Sequence, residues 1–191
     1  MFIKKYLLSN LPVTKSEILG RTALIEETTK GQTKFHFDGD LIIRTSKNLN
    51  GNKPRALSNI HLEKLAQQMD YFSSIGLIHG DLHLKNLLVN NDDIHIIDWE
   101  PSLRQMIGNL NTLMYTAPWI DPEDKESREL SINTDLMCFY RLKNQQKHNF
   151  FKANDWFLLK KIAKNDKIPF TLLNKELPYE FTSKIKQKRS L

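Results

Sequence analysis

A chain of 191 residues has room for one domain with a real core, or for two small lobes sharing a cleft, and leaves little for a second independent domain. Hydrophobic residues at 40% and charged residues at 26% exclude a chain disordered throughout, and a formal charge of +6 favours anionic partners. The single cysteine, Cys138, excludes an internal disulfide and a cysteine-rich zinc site.

Residues 2–8 are strand-like and carry Lys4 and Lys5, which a two-residue period places on opposite faces, so only one can face a cleft. Residues 14–28 predict a helix, with Thr14 and Ser16 as caps and Gly20 as an interruption. Residues 34–37, the turn Asp38-Gly39-Asp40 and residues 41–45 predict strand, tight turn and strand. The Asn-, Gly- and Pro-rich stretch 46–54 reads as a link. The clearest helix is 58–74, where Leu62, Leu65, Ala66, Met69 and Phe72 recur at three- and four-residue spacing between a Ser58 cap and Gly76.

The rest of the chain is organised around residues 77–100, LIHGDLHLKNLLVNNDDIHIIDWE. Two β-like runs, 87–89 and 94–97, flank Asn90-Asn91-Asp92-Asp93 and predict a hairpin. Asp81 and Asn86 lie before it and Asp98 after it; because a hairpin returns on itself, two carboxylates and an amide converge at one mouth. That is a metal and phosphate site in outline. Residues 131–142 predict a helix with Asp135 near its start, and 154–163 a helix turning Trp156, Leu159 and Ile162 inward, ahead of a basic tail at 182–191. The basic and aromatic residues beyond 144 read as a helix with an aromatic core face rather than a nucleic-acid platform, so nucleic acid is not an expected partner. No apolar run approaches the roughly 18 residues of a membrane span, and the apolar patch at the start is too short for a signal-peptide core. The expected location is the cytoplasm, with secretion without a cleaved signal as the alternative.

His79-Gly80-Asp81, with Asn86 five residues after the aspartate and Asp98 twelve after the asparagine, resembles the catalytic loop of the protein-kinase-like superfamily. His-Gly-Asp-Leu-His and Asp-Trp-Glu are similar to the aminoglycoside and choline phosphotransferases and the lipopolysaccharide-core kinases, whereas Tyr115-Thr116-Ala117-Pro118 and the Asp135 helix are similar to protein kinases. The resemblance implies an α+β, two-lobed fold in one domain over 1–191, with a reduced N-lobe at 1–47 (a small antiparallel sheet plus one helix) and a mainly helical C-lobe at 48–191. It implies ATP and Mg²⁺ as cofactors. Asp98 would bind Mg²⁺, Asn86 a second or shared Mg²⁺, and Asp81 would accept or orient the proton of the attacking hydroxyl. Lys85 would reach the γ-phosphate, or else lie on the surface, and His79 would brace the loop. Lys4, with Lys5 in reserve, would serve the α- and β-phosphates; Glu17 is the first choice for its ion-pair partner, with Glu26 and Glu27 open. Arg44, Thr45 and Ser46, continuing to Lys47, would line the adenine pocket through main-chain atoms. Asp135 would brace the catalytic-loop backbone.

The sequence departs from the family in two places. Trp119 stands where a glutamate is expected after Ala117-Pro118, and none of the seven glycines forms the G-x-G-x-x-G phosphate lid, so the roof of the nucleotide site is missing or comes from elsewhere. A competing alignment takes Ile18-Leu19-Gly20-Arg21 as a degenerate first loop and Leu41-Ile42-Ile43-Arg44 as the lysine strand; it ranks second because it leaves no room for the pairing helix before Ser58. His83 and His95 lack zinc-ligand partners at suitable spacing. The expected function is transfer of the ATP γ-phosphate to a protein serine or threonine, with a small-molecule or lipopolysaccharide-core sugar acceptor as the alternative. A pseudokinase or binding module is the second alternative.

Overall fold

The computed structural model describes residues 1–11, 13–102, 130–145 and 170–174. The docking-like segment 115–118, Trp119, the expected helix at 154–163 and the basic tail lie outside the described residues.

Strands β1 (Phe2–Leu7), β2 (Thr33–Asp38) and β3 (Leu41–Ser46) form an antiparallel sheet in the order β1-β3-β2. Gly39 and Asp40 close the β2–β3 hairpin, and Gly39 adopts φ +57°, a conformation open to glycine without a Cβ penalty. In β1, Tyr6 is buried and Lys4 half-buried on one face, while Lys5 points outward. The two-residue period thus puts Lys4, not Lys5, on the inner side. Because β3 is central, Arg44 faces Lys4 on one side and Phe35 on the other, and Thr45 and Ser46 are likewise paired on both edges.

Helix α1 (Lys15–Thr28) begins with a capping box: Glu17 N donates to Thr14 Oγ1, and Thr14 N donates to Glu17 Oε2 at 2.8 Å. Gly20 does not interrupt it. Ile18, Thr22 and Ile25, spaced four and three residues apart, bury one face and hold the helix through the glycine. The loop expected at residues 18–21 in the competing alignment is therefore helical, which removes that alignment.

Helix α2 (Asn59–Ser74) is capped by Ser58 Oγ, which accepts from His61 N, and the chain turns off it at Gly76 with φ +71°. All five residues of the expected stripe, Leu62, Leu65, Ala66, Met69 and Phe72, are buried. Burying each of the larger ones is worth about 1.5–3 kcal/mol relative to exposure. The expected hairpin forms from β4 (Leu87–Asn90) and β5 (Asp93–Ile96), with Asn91 at φ +53° in the turn. Asn52 and Val89 exchange both backbone hydrogen bonds at 2.9 Å and so tie the 46–54 link to this hairpin.

Helix α3 (Ile132–Gln145) follows, and the short helix α4 (Phe170–Asn174) docks on α2: the Asp70 carboxylate accepts from Phe170 N and from Thr171 N and Oγ1. One hydrophobic cluster runs from Tyr6 in the sheet through α1, α2 and the hairpin to Phe139 and Phe170. Among the described residues no helix is long and apolar enough to cross a membrane.

Candidate active site

The hairpin brings its outer ends together as its register requires. Leu87 pairs with Ile96, and Ile97 N donates to Asn86 O at 2.9 Å, so Asn86 and Asp98 stand on neighbouring strand ends. Asp98 itself has φ +65°, a left-handed conformation that aspartate tolerates better than most side chains and that concentrates at functional sites. Its carboxyl is held below the usual range: burial works to raise it, but the hydrogen bond and charge of Arg44, with Lys4 and His79, outweigh that.

The loop from His79 to Asn86 is fixed at several points. Asp135, fully buried at the start of α3, accepts from His79 N and Gly80 N at 2.8 Å each, one amide per carboxylate oxygen. This is the brace expected of Asp135. His79 is buried against Trp99, edge to face at 4.6 Å between ring centroids, and its Nε2 lies 3.0 Å from Ile97 O. His79 Nδ1 in turn accepts from Asp81 N at 3.2 Å, and the tautomer with a proton on Nε2 satisfies both contacts.

Asn86 Nδ2 donates to both Asp81 O at 2.9 Å and Asp81 Oδ2 at 3.1 Å, and His83 Nε2 stands 3.5 Å from the same Oδ2. Among the described residues, Asp81 Oδ1 is buried with no hydrogen-bond partner. A buried carboxylate oxygen without a donor is costly, and it leaves Asp81 with an acceptor that no described group uses. Lys85 is exposed on the 3₁₀ turn Leu84–Asn86, and its backbone N donates to His83 Nδ1.

Above the mouth, the sheet contributes a cluster that the sequence reading did not contain. Arg44, 1% exposed, donates through Nη2 to Asp98 Oδ1 at 2.5 Å and through Nη1 to Trp99 O at 2.6 Å, and Nη1 lies 3.4 Å from Glu100 Oε1. Lys4 Nζ reaches the same Glu100 oxygen at 2.5 Å. From α1, Arg21 Nε donates to Glu100 O at 2.9 Å. The ion-pair partner of Lys4 is therefore Glu100 rather than Glu17, whose Oε2 accepts from Thr14 N and Oγ1 in the capping box. Of the open alternatives, Glu26 accepts from Phe35 N at 2.6 Å. The main-chain groups of Arg44, Thr45 and Ser46 are engaged in the two ladders of β3, and Lys47 N donates to Gln32 O, so the main-chain lining expected of them is not presented. Glu100 was legible only as a carboxylate next to Asp98-Trp99, and Arg44 only as main-chain adenine lining or, in the competing alignment, as the end of the lysine strand.

The donor set fits a hard divalent cation. Asp98 offers a carboxylate; Asn86 uses its amide NH₂ on Asp81, which leaves Oδ1 as a neutral oxygen ligand. Among the described residues no three His, Cys, Asp or Glu side chains make a ready-made metal cage. A carboxylate and an amide completed by waters and substrate phosphates is how Mg²⁺ is commonly held. A cavity of about 450 Å³ is lined by Gln68, Phe72, His95 and Trp99 among others, and includes none of Asp81, Asn86 and Asp98.

Complete burial lowers His79 to about 4, and the hydrogen bond to Ile97 O with the nearby carboxylates only partly offsets it. Its folded value lies below the unfolded value near 6.5, so the unfolded chain binds the extra proton. The stability from the neutral ring is complete above about pH 6.5 and is lost as the pH falls toward 4, by an amount on the order of 3 kcal/mol. Urea titrations at pH 7.5 and 5 should show about 2 kcal/mol of this loss in the wild type and a smaller one in His79→Gln.

These elements define a mixed α/β protein whose small antiparallel sheet and helices surround a kinase-like catalytic loop. Residues 42–112 match the family model of the RIO domain, a member of the protein-kinase-like superfamily. The match runs from within β3 through α2, the catalytic loop, the hairpin and Asp98, and leaves β1, α1 and Asp135 outside it. It implies an ATP-using phosphotransferase of the atypical protein-kinase-like kind. No curated protein matches the chain.

Proposed function

We propose that the chain transfers the γ-phosphate of ATP to a hydroxyl in a Mg²⁺-dependent reaction, with a protein serine or threonine as the first acceptor class. The observation that carries this reading is Asp81: its Oδ2 is pinned by the Asn86 amide while its buried Oδ1 has no partner among the described residues, which suits it to receive the hydrogen bond of an attacking hydroxyl. Phosphoryl transfer asks little covalent work of the protein and much positioning. When bound, Mg²⁺ supplies charge neutralisation on the phosphates. Asp98 and Asn86 would hold it, Lys4 would serve the α- and β-phosphates, and Lys85 at the loop exit is the candidate for the γ-phosphate.

On this reading residues 1–47 are a reduced N-lobe and the rest a C-lobe. The sheet order β1-β3-β2 with α1 between β1 and β2 supports it, since this is how a lysine strand, a pairing helix and two further strands would be arranged. Adenine would meet main-chain groups at 48–50, the first beyond the ladder.

A sugar or small-molecule acceptor is the second reading, favoured by His83. It occupies the position two after Asp81 where protein serine/threonine kinases place a lysine, and stands 3.5 Å from the Asp81 carboxylate. Labelled ATP offered with protein mixtures and, separately, with sugar and lipid extracts distinguishes the two. Label in protein that vanishes with Asp98→Ala is the expected result; label only in the extracts overturns the protein acceptor.

A further inference from the structure

We propose that Glu100 is the positioning residue of the nucleotide site: its carboxylate holds Lys4 and Arg44 side by side, so that two cations on adjacent strands, not one, face the phosphates. The proposal deepens the phosphotransferase reading and rests on it.

Lys4 and Arg44 are direct cross-strand partners, and like charges directly opposite each other in an antiparallel ladder repel. A carboxylate between them is the simplest way to keep both in place, and Glu100 Oε1 is shared by the two, at 2.5 Å from Lys4 Nζ and 3.4 Å from Arg44 Nη1. The Glu100 side chain is 12% exposed. Its backbone is fixed in turn, since Arg21 from α1 donates to Glu100 O. Helix α1 therefore turns a cation, not a carboxylate, toward this cluster. The acidic partner of the strand cations comes instead from the segment that carries Asp98, two residues away.

The second contact of Arg44 gives it a ligand-dependent role. Arg44 Nη2 is bonded to Asp98 Oδ1, the carboxylate expected to hold the metal. If a metal took Asp98 Oδ1, that guanidinium edge would be freed while Nη1 could keep Trp99 O and Glu100. A guanidinium anchored on one edge and open on the other suits a phosphate oxygen. Arg44 would then serve Asp98 in the empty site and the phosphates in the loaded one.

Binding of Mg-ADP, followed by calorimetry together with thermal melting of each protein, tests this. Glu100→Gln should weaken Mg-ADP binding about tenfold or more, Glu100→Asp should recover part of the loss, and melting should change little. Lys4 is half-exposed and its removal tolerable, so Lys4→Met and the double variant K4M/E100Q complete a cycle even if Glu100→Gln melts early. Because Glu100 acts partly through Lys4, the double variant should lose less than the product of the two single losses. Independent, multiplicative losses, or an unchanged affinity in Glu100→Gln, overturn the clamp while leaving the phosphotransferase reading intact. A wild-type protein that binds no Mg-ADP overturns both.

Discussion

Asp81→Asn is expected to slow phosphoryl transfer by about 10²–10⁴-fold, the usual contribution of a positioned general base, with melting nearly unchanged. The substitution keeps an oxygen for the hydrogen bond from Asn86 Nδ2 and keeps the backbone carbonyl to which the same amide donates. What it removes is the charge on a buried carboxylate whose other oxygen has no partner among the described residues. Asparagine accepts no proton, and its NH₂ would present a donor where the hydroxyl needs an acceptor. Affinity for Mg-ADP should stay within a few-fold, because the metal and phosphate ligands are other residues. Transfer and melting measured on one preparation check both halves, and an undiminished rate would remove Asp81 from the chemistry.

Asp135→Ala should show the opposite balance, with stability lost first. Asp135 is fully buried and each carboxylate oxygen accepts a catalytic-loop amide, from His79 and Gly80. Removing it leaves two buried N–H groups without acceptors, at about 1–3 kcal/mol each, so a loss of about 2–6 kcal/mol is expected. That is a large share of the roughly 5–15 kcal/mol that a domain holds in total. Asp135→Asn keeps one acceptor and should lose about half as much. Because Gly80 sits at φ +83° beside Asp81, the released loop should also lose activity below the melting transition. Urea unfolding of the three proteins gives the ranking; a loss under about 1 kcal/mol for alanine would mean that the amides find other partners.

The parts legible in the sequence were those set by local pattern. The α2 stripe, the 39–40 turn and the hairpin at 87–96 follow from periodicity and turn residues, and once the hairpin exists Asn86 and Asp98 must be neighbours. The role of Asp135 was legible through resemblance, because a carboxylate early in a helix after the catalytic loop is part of the kinase pattern. Glu17 illustrates the reverse. Thr14-x-x-Glu17 is itself a capping-box signature, and this local use claims an oxygen of the side chain that was expected to reach across to Lys4. Arg44 and Glu100 were not legible as a pair: 56 residues separate them, and only the central place of β3 over the hairpin mouth brings them together. The same central place engages the main chain expected to meet adenine.

The most direct test of the central claim is transfer from γ-labelled ATP in the presence of Mg²⁺, with wild type and Asp98→Ala run together and Mg-ADP binding measured on both. Label transfer by the wild type and its loss in the variant are expected, with binding of Mg-ADP weakened and the fold retained. Equal labelling by the two proteins, or a wild type that neither binds Mg-ADP nor transfers label, would contradict it.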